Sequence, residues 1–205
     1  MTIREGAGQK EKHEAILAAA QRLFGYYGYR RTAIDDIAQE AGIAKGTVYL
    51  YFKSKEEIFR ALCQQLIEQV LSATETACHT AAPIEQRLRR ILAAKFDYFF
   101  ELVHGSAHAR ELIDAKNQLS SDLFIQGERR YARFLSATIT EAIEGGELNL
   151  DRVGLEPDTV ADVLIRSAAG NELYGATPPT PVVFRKRLDA LVRIFVVALG
   201  GQVTQ

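Results

Sequence analysis

The residues best placed to do chemistry in this 205-residue chain lie in positions 41–57, Ala-Gly-Ile-Ala-Lys-Gly-Thr-Val-Tyr-Leu-Tyr-Phe-Lys-Ser-Lys-Glu-Glu. On a wheel of about 100° per residue, Ala44, Val48 and Phe52 fall on one arc of a short helix, and Gly46, Tyr49 and Leu50 fall on the opposite one. The outer side offers a cation at Lys45, a glycine, the Thr47 hydroxyl and a phenol, with no acid among them. Such groups suit phosphate oxygens and base edges in a major groove, and an exposed Leu50 suits a thymine methyl. The chemistry is that of DNA recognition by a surface rather than of catalysis.

A reading helix needs a frame, and the preceding residues supply one. Ile16, Leu17, Ala20, Leu23, Phe24 and Tyr27 recur at helical spacing and predict a first amphipathic helix that ends at Gly25 and Gly28. Thr32 is expected to cap a second helix, with Asp35 and Asp36 in its first turn and Ile34, Ile37, Ala38 and Ala41 on its buried face. Gly42 breaks that helix, and the recognition helix at about 44–52 follows, giving a helix-turn-helix. Ser54, with Glu57 three residues on, caps a long fourth helix whose apolar lines are Ile58, Leu62, Leu66, Val70 and Phe59, Cys63, Ile67, Leu71. Residues 1–11 lack apolar periodicity and are expected to form a flexible arm.

Composition excludes several classes. The chain is 47% hydrophobic and 25% charged, ordinary for a folded globular protein. No run approaches 18 apolar residues and residues 1–12 are polar, so no membrane association and a cytoplasmic location are expected. Cys63 and Cys78 have neither disulfide-framework nor zinc-ligand spacing. The net charge is −1, but residues 1–60 hold ten Lys and Arg against eight Asp and Glu, and the remainder fifteen against eighteen. That asymmetry fits docking on DNA through one small surface rather than coating it.

Residues 12 to about 66 resemble the tetracycline-repressor (TetR) family of bacterial transcriptional regulators. The matching positions are Ala15-Ile16-Leu17-Ala18-Ala19-Ala20, Leu23-Phe24, Gly28-Tyr29, Thr32, Ile37-Ala38, Ala41-Gly42, Gly46-Thr47-Val48-Tyr49 and Tyr51-Phe52-Lys53-Ser54-Lys55-Glu56-Glu57. The resemblance implies an all-α protein: a three-helix DNA-binding domain over 12–58 and a helical effector-binding and dimerisation domain over 59–205. It implies a homodimer on a palindromic operator in double-stranded DNA, most often a repressor released by a small-molecule effector. Carried over by residue, it gives Thr32 and Lys55 phosphate contacts, places Lys45, Gly46 and Thr47 at the groove-facing start of the recognition helix, and gives Tyr49 and Tyr51 phosphate or base contacts. Tyr51 lies near the buried edge of the wheel, where packing is an equal reading.

Beyond position 71 the sequence is helical throughout, with turn signals at Pro83, Gly105, Gly145-Gly146 and Pro178-Pro179. Phe96, Phe99, Phe100, Tyr131, Phe134 and Tyr174 either line an effector pocket or fill the core; His104 is a polar candidate beside them, and Arg166 and Asn171 lie in a helix expected to be largely buried, where either the pocket or the dimer interface would satisfy them. His104 and His108 are four apart, but Gly105 between them and the lack of a third ligand argue against a metal. The last two helices have wide aliphatic faces, and Val160, Leu164, Leu188, Leu191, Val192 and Phe195 are the expected dimer interface. No catalytic constellation and no cofactor motif is found. A helical-bundle enzyme or interaction module carrying a helix-turn-helix is the alternative reading.

Overall fold

In the computed structural model the described residues are 2–104, 106–170 and 179–203, with side chains described at 8–100, 106–170 and 179–203. Among them every regular element is helical: α1 (Thr2–Tyr27), α2 (Ile34–Glu40), α3 (Lys45–Tyr51), α4 (Lys55–Cys78), α5 (Ile84–His104), α6 (Ala109–Leu119), α7 (Ser121–Glu144), α8 (Pro157–Gly170) and α9 (Pro181–Ala198). The chain divides into two compact units. The first is Met1–Ile67 with Val103–Phe124, the second Glu68–Leu102 with Ile125–Gln205. The division differs from the expected boundary at 58/59, because α6 joins the first unit. α1 begins at Thr2, within the residues expected to form an arm.

The first unit is built on α1. Its Ile16, Leu17, Ala20 and Phe24 are buried with Ile37 and Ala38 of α2, Val48 of α3, Ile58, Phe59 and Cys63 of α4, and Ala115 of α6. α1 stops where Gly28 takes φ 88 and donates its N–H to the Phe24 carbonyl, an αL cap that a side chain would strain. At the other end of this core Arg60 holds α4 to the start of α7, donating to the Leu119 carbonyl and, through both terminal nitrogens at 2.8 Å, to Asp122. That paired fork keeps the Asp122 carboxyl at about 2, below its ordinary 3.8, chiefly by hydrogen bonding.

The second unit is organised around α5. Ile84, Leu88, Ile91, Leu92, Phe96 and Phe100 are buried along it. The Tyr131 hydroxyl of α7 donates to the Ile91 carbonyl at 3.0 Å, and Phe100 stacks on Phe184 of α9 with centroids 4.5 Å apart. Arg89 pairs with Asp189 and Arg185 with Asp97, so α9 is tied to α5 by charge as well as by packing. Glu147, after α7, accepts the Ile84 N–H and the Arg87 guanidinium, satisfying a donor that the start of α5 would otherwise leave unpaired.

Candidate nucleic-acid interface

The geometry of the reading surface starts from the end of α2. Gly42 takes φ 68 and its N–H meets the Gln39 carbonyl, while the Ile43 N–H meets the Ala38 carbonyl. These paired bonds are a Schellman cap, and they let the chain reverse in four residues. α2 itself is opened by Ala33, not by Thr32: the Asp36 carboxylate accepts the Ala33 N–H at 2.7 Å. Arg22 of α1 pairs with Glu40 at the far end, so α2 is held at both termini.

α3 is set against this frame by Val48, which is fully buried, and by Phe52, whose ring packs at a tilt against His13 of α1 with centroids 5.0 Å apart. Ala44, expected on the anchor side, is instead the exposed N-cap, and its carbonyl accepts the Thr47 N–H. With the anchor fixed, the outward residues follow. Leu50 is 83% exposed and Tyr49 46% exposed. Lys45 and Gly46 are exposed and Thr47 is half-buried. Gly46 has open space where a Cβ would be, so its smallness serves nothing within the chain. Tyr51 is half-buried with its ring 6.3 Å from His13. Lys45 reaches Asp35 of α2 at 2.7 Å, and that hydrogen bond pushes its ammonium pKa up.

Two of the expected DNA-contact residues are engaged within the chain. Thr32 is buried and its Oγ1 donates to the Gly28 carbonyl at 2.8 Å, so the hydroxyl closes the α1–α2 turn. Lys55 is likewise turned inward. Its Nζ donates to the carbonyls of Tyr29 (2.8 Å), Thr32 (2.9 Å) and, more weakly, Arg30 (3.4 Å), and it lies 4.5 Å from the centre of the Tyr29 ring. All three of its protons are taken by the loop that delivers α2. From the other side Glu111 of α6 accepts the Arg30 N–H at 2.5 Å, and Ser106 donates to the Gly25 carbonyl. Sequence reasoning misses this cage. The cation and the carboxylate are visible in the sequence, but their target is a set of backbone atoms 23 to 81 residues away. The Tyr29 hydroxyl is sealed from solvent close to Glu56; burial first, and that carboxylate second, push its pKa up to about 12.

In the second unit Phe96, Phe100 and Tyr131 are buried, while Phe99 and Phe134 are half-buried. Lys95 is buried beside them, 4.6 Å from the centre of the Tyr131 ring and paired with Glu128. Arg166, expected in a buried setting, is corrected: its side chain is 78% exposed and pairs with Asp162 one turn back. Asn171 and Tyr174 lie outside the described residues, as does the His104 side chain. His108 stands 3.9 Å from Glu111, and no group of three metal-ligating side chains meets among the described residues.

Of the expected dimer residues, Val160, Leu164, Leu188 and Val192 are buried within their own unit, while Leu191 and Phe195 are half-buried. A different apolar row faces outward. Val183, Ala190, Ile194 (66% exposed) and Val197 (58% exposed) lie within about 60° on α9, and Val163 is exposed on α8.

Residues 16–62 match the family model for bacterial regulatory proteins of the tetR family. The chain is 26% identical over 145 residues to the fatty acid metabolism regulator protein of Bacillus subtilis, covering 68% of this chain and 72% of that one. It is 24% identical over 196 residues to the transcriptional regulator EthR of Mycobacterium tuberculosis, covering 94% and 88%. SmeT, the repressor of a Stenotrophomonas maltophilia multidrug efflux pump, shares its fold with a TM-score of 0.64 at 22% identity, over 91% of this chain and 89% of that one. SmeT has also been solved with triclosan. No helix among the described residues is long and apolar enough to cross a membrane.

Proposed function

We propose that this chain, a tetR-family transcriptional regulator and not an enzyme, represses transcription as a homodimer that seats two α3 helices in successive major grooves of a palindromic operator. The observation that carries this is the outward arc of α3: Lys45, Gly46, Tyr49 and Leu50 stand exposed on a helix whose opposite side is anchored by Val48. Exposed aliphatic and aromatic side chains on so short a helix have no structural use within the chain, and a groove floor gives them one. Thr47 and Tyr51, at the edges of the arc, are assigned backbone contacts.

The homodimer rests on the α9 row of Val183, Ala190, Ile194 and Val197 with Val163 of α8, a stripe of the kind that closes a four-helix interface about a two-fold axis. A two-fold protein implies a two-fold site, with half-sites about one helical turn apart or slightly more. The effector is a small, largely apolar molecule held in the second unit by the aromatic group around Phe96, Phe99, Phe100, Tyr131 and Phe134. Support comes from a relative named for fatty acid metabolism and from SmeT's complex with triclosan.

The test is a mobility-shift assay with fragments selected from the genome by the purified protein. Salt-sensitive, sequence-selective binding to a two-fold symmetric site is expected. Binding that ignores sequence, or a protected site without two-fold symmetry, contradicts the proposal.

A further inference from the structure

We propose that Asp35 is a specificity-determining residue: it holds the Lys45 ammonium in place at the front of the reading helix, and so suppresses binding to DNA of the wrong sequence. The inference rests on the DNA-binding reading above and adds to it a residue that makes no favourable contact with DNA itself.

The first turn of α2 contains two acids with different work. Asp36 reaches back to the Ala33 N–H and caps the helix. Asp35 also lies in that first turn, where a carboxylate favours the helix dipole, and it reaches the neighbouring helix, where Lys45 Nζ lies 2.7 Å from its Oδ1. Both side chains are more than half exposed, so solvent screens the pair and it adds little to folding. Its position is what matters. Lys45 is the sole charged residue of α3, and an acid against it sits beside the surface that approaches a polyanion.

A free lysine on a flexible four-carbon stem is a promiscuous phosphate ligand, since it neutralises any backbone it meets. Salt-bridged to Asp35, the ammonium is neutralised in the absence of a matched site and is held in one direction. On random DNA, transferring it to a phosphate breaks the pair and leaves the carboxylate facing the backbone. On the operator, the held ammonium keeps its place and donates its remaining protons to base-edge acceptors such as guanine O6 or N7. Asp35 therefore costs random sequences more than the operator. Specificity is set by repulsion as well as by attraction.

The experiment compares the full-length wild type, Asp35→Asn, Lys45→Met and the double variant on two DNA duplexes, by fluorescence anisotropy at several salt concentrations. One duplex is the highest-affinity fragment selected by the wild type, the other a length-matched scramble. Asp35→Asn is expected to raise scramble affinity roughly threefold to tenfold and to steepen its salt dependence by about one ion, while operator affinity changes less than twofold. In the Lys45→Met background Asp35→Asn should raise the affinity of both duplexes alike, because an unpaired carboxylate repels either backbone, and should leave their ratio unchanged. With Lys45 present, an equal rise on both duplexes or no change on the scramble overturns the inference, as does an undiminished change in the ratio without Lys45. Failure of the wild type to discriminate the two duplexes would instead overturn the DNA-binding reading.

Discussion

Lys55→Met is the perturbation that most sharply separates a structural lysine from a DNA-contacting one. In the folded chain Lys55 gives two good charge-assisted hydrogen bonds, at 2.8 and 2.9 Å, to the carbonyls of Tyr29 and Thr32, and a longer third to Arg30. A bond to a charged donor contributes about 1.5–3 kcal/mol when buried. Here the site is partly open and water replaces some of the loss, so the two bonds together are worth about 2 kcal/mol. Methionine keeps the length and apolar bulk of the stem and removes only the donors. For a 205-residue chain unfolding as one, about 2 kcal/mol corresponds to a fall in Tm of roughly 4–8 °C. Thermal unfolding followed by circular dichroism reads it directly, with exposed Lys53→Met as the control expected to shift stability by no more than about 0.5 kcal/mol. DNA binding of the Lys55 variant should weaken with an unchanged salt slope, because the loop carrying α2 loosens but no phosphate contact is lost. A wild-type melting curve together with a salt slope lower by about one would refute the carbonyl cage and restore Lys55 as a phosphate ligand.

Gly28→Ala should be among the most damaging small substitutions: φ is 88, and a Cβ would lie 2.5 Å from Glu111 Oε2 and 3.2 Å from His108 Nδ1, so a loss of about 2 kcal/mol is expected by denaturant titration. Ile194→Glu places a charge in the middle of the exposed α9 row and should yield a folded monomer by light scattering; a dimer of undiminished affinity would remove that row from the interface. The Arg60 pair depresses the Asp122 carboxyl from 3.8 to about 2, so its stabilising contribution is complete above about pH 4 and is lost as pH falls through about 2. Arg60→Met should accordingly flatten the acid limb of the stability curve in that window, read by chemical denaturation at stepped pH.

The parts of the fold written in local chemistry are legible in the sequence itself. Gly42 announces the end of α2 because only the left-handed region closes a Schellman turn there, and Val48 and Phe52 announce the anchored side of α3 by spacing alone. Ser54 and Glu57 mark the start of α4, where the Ser54 hydroxyl accepts the Glu57 N–H and the Glu57 carboxylate accepts the Lys53 N–H. The cap of α2 falls one residue after Thr32, because a threonine before an acid pair looks like a cap, and its hydroxyl turns back to Gly28 only once the chain has folded. The role of Lys55 depends on a loop 23 to 26 residues earlier in sequence coming home to it. The dimer residues illustrate a different limit. The apolar band of α9 is two bands, with Phe184, Leu188, Val192 and Val196 one turn apart facing the core and Val183, Ala190, Ile194 and Val197 on the far side. Hydrophobicity alone does not say which of two stripes is inside. Arg166, by contrast, is recoverable from spacing: with Val160, Ala161, Leu164 and Ala168 defining the buried face of α8, positions 162 and 166 share its outer surface.

The central claim is that the exposed arc of α3 reads DNA, and the measurement that tests it most directly is the affinity of Tyr49→Ala and Leu50→Ala for the selected operator and for its scrambled counterpart. Both side chains are outside the core, so each variant should melt as the wild type does. Each should lose about 1–3 kcal/mol of operator binding while scramble binding stays nearly constant. Unchanged operator affinity in both variants, with folding intact, would show that the surface reading DNA lies elsewhere on the molecule.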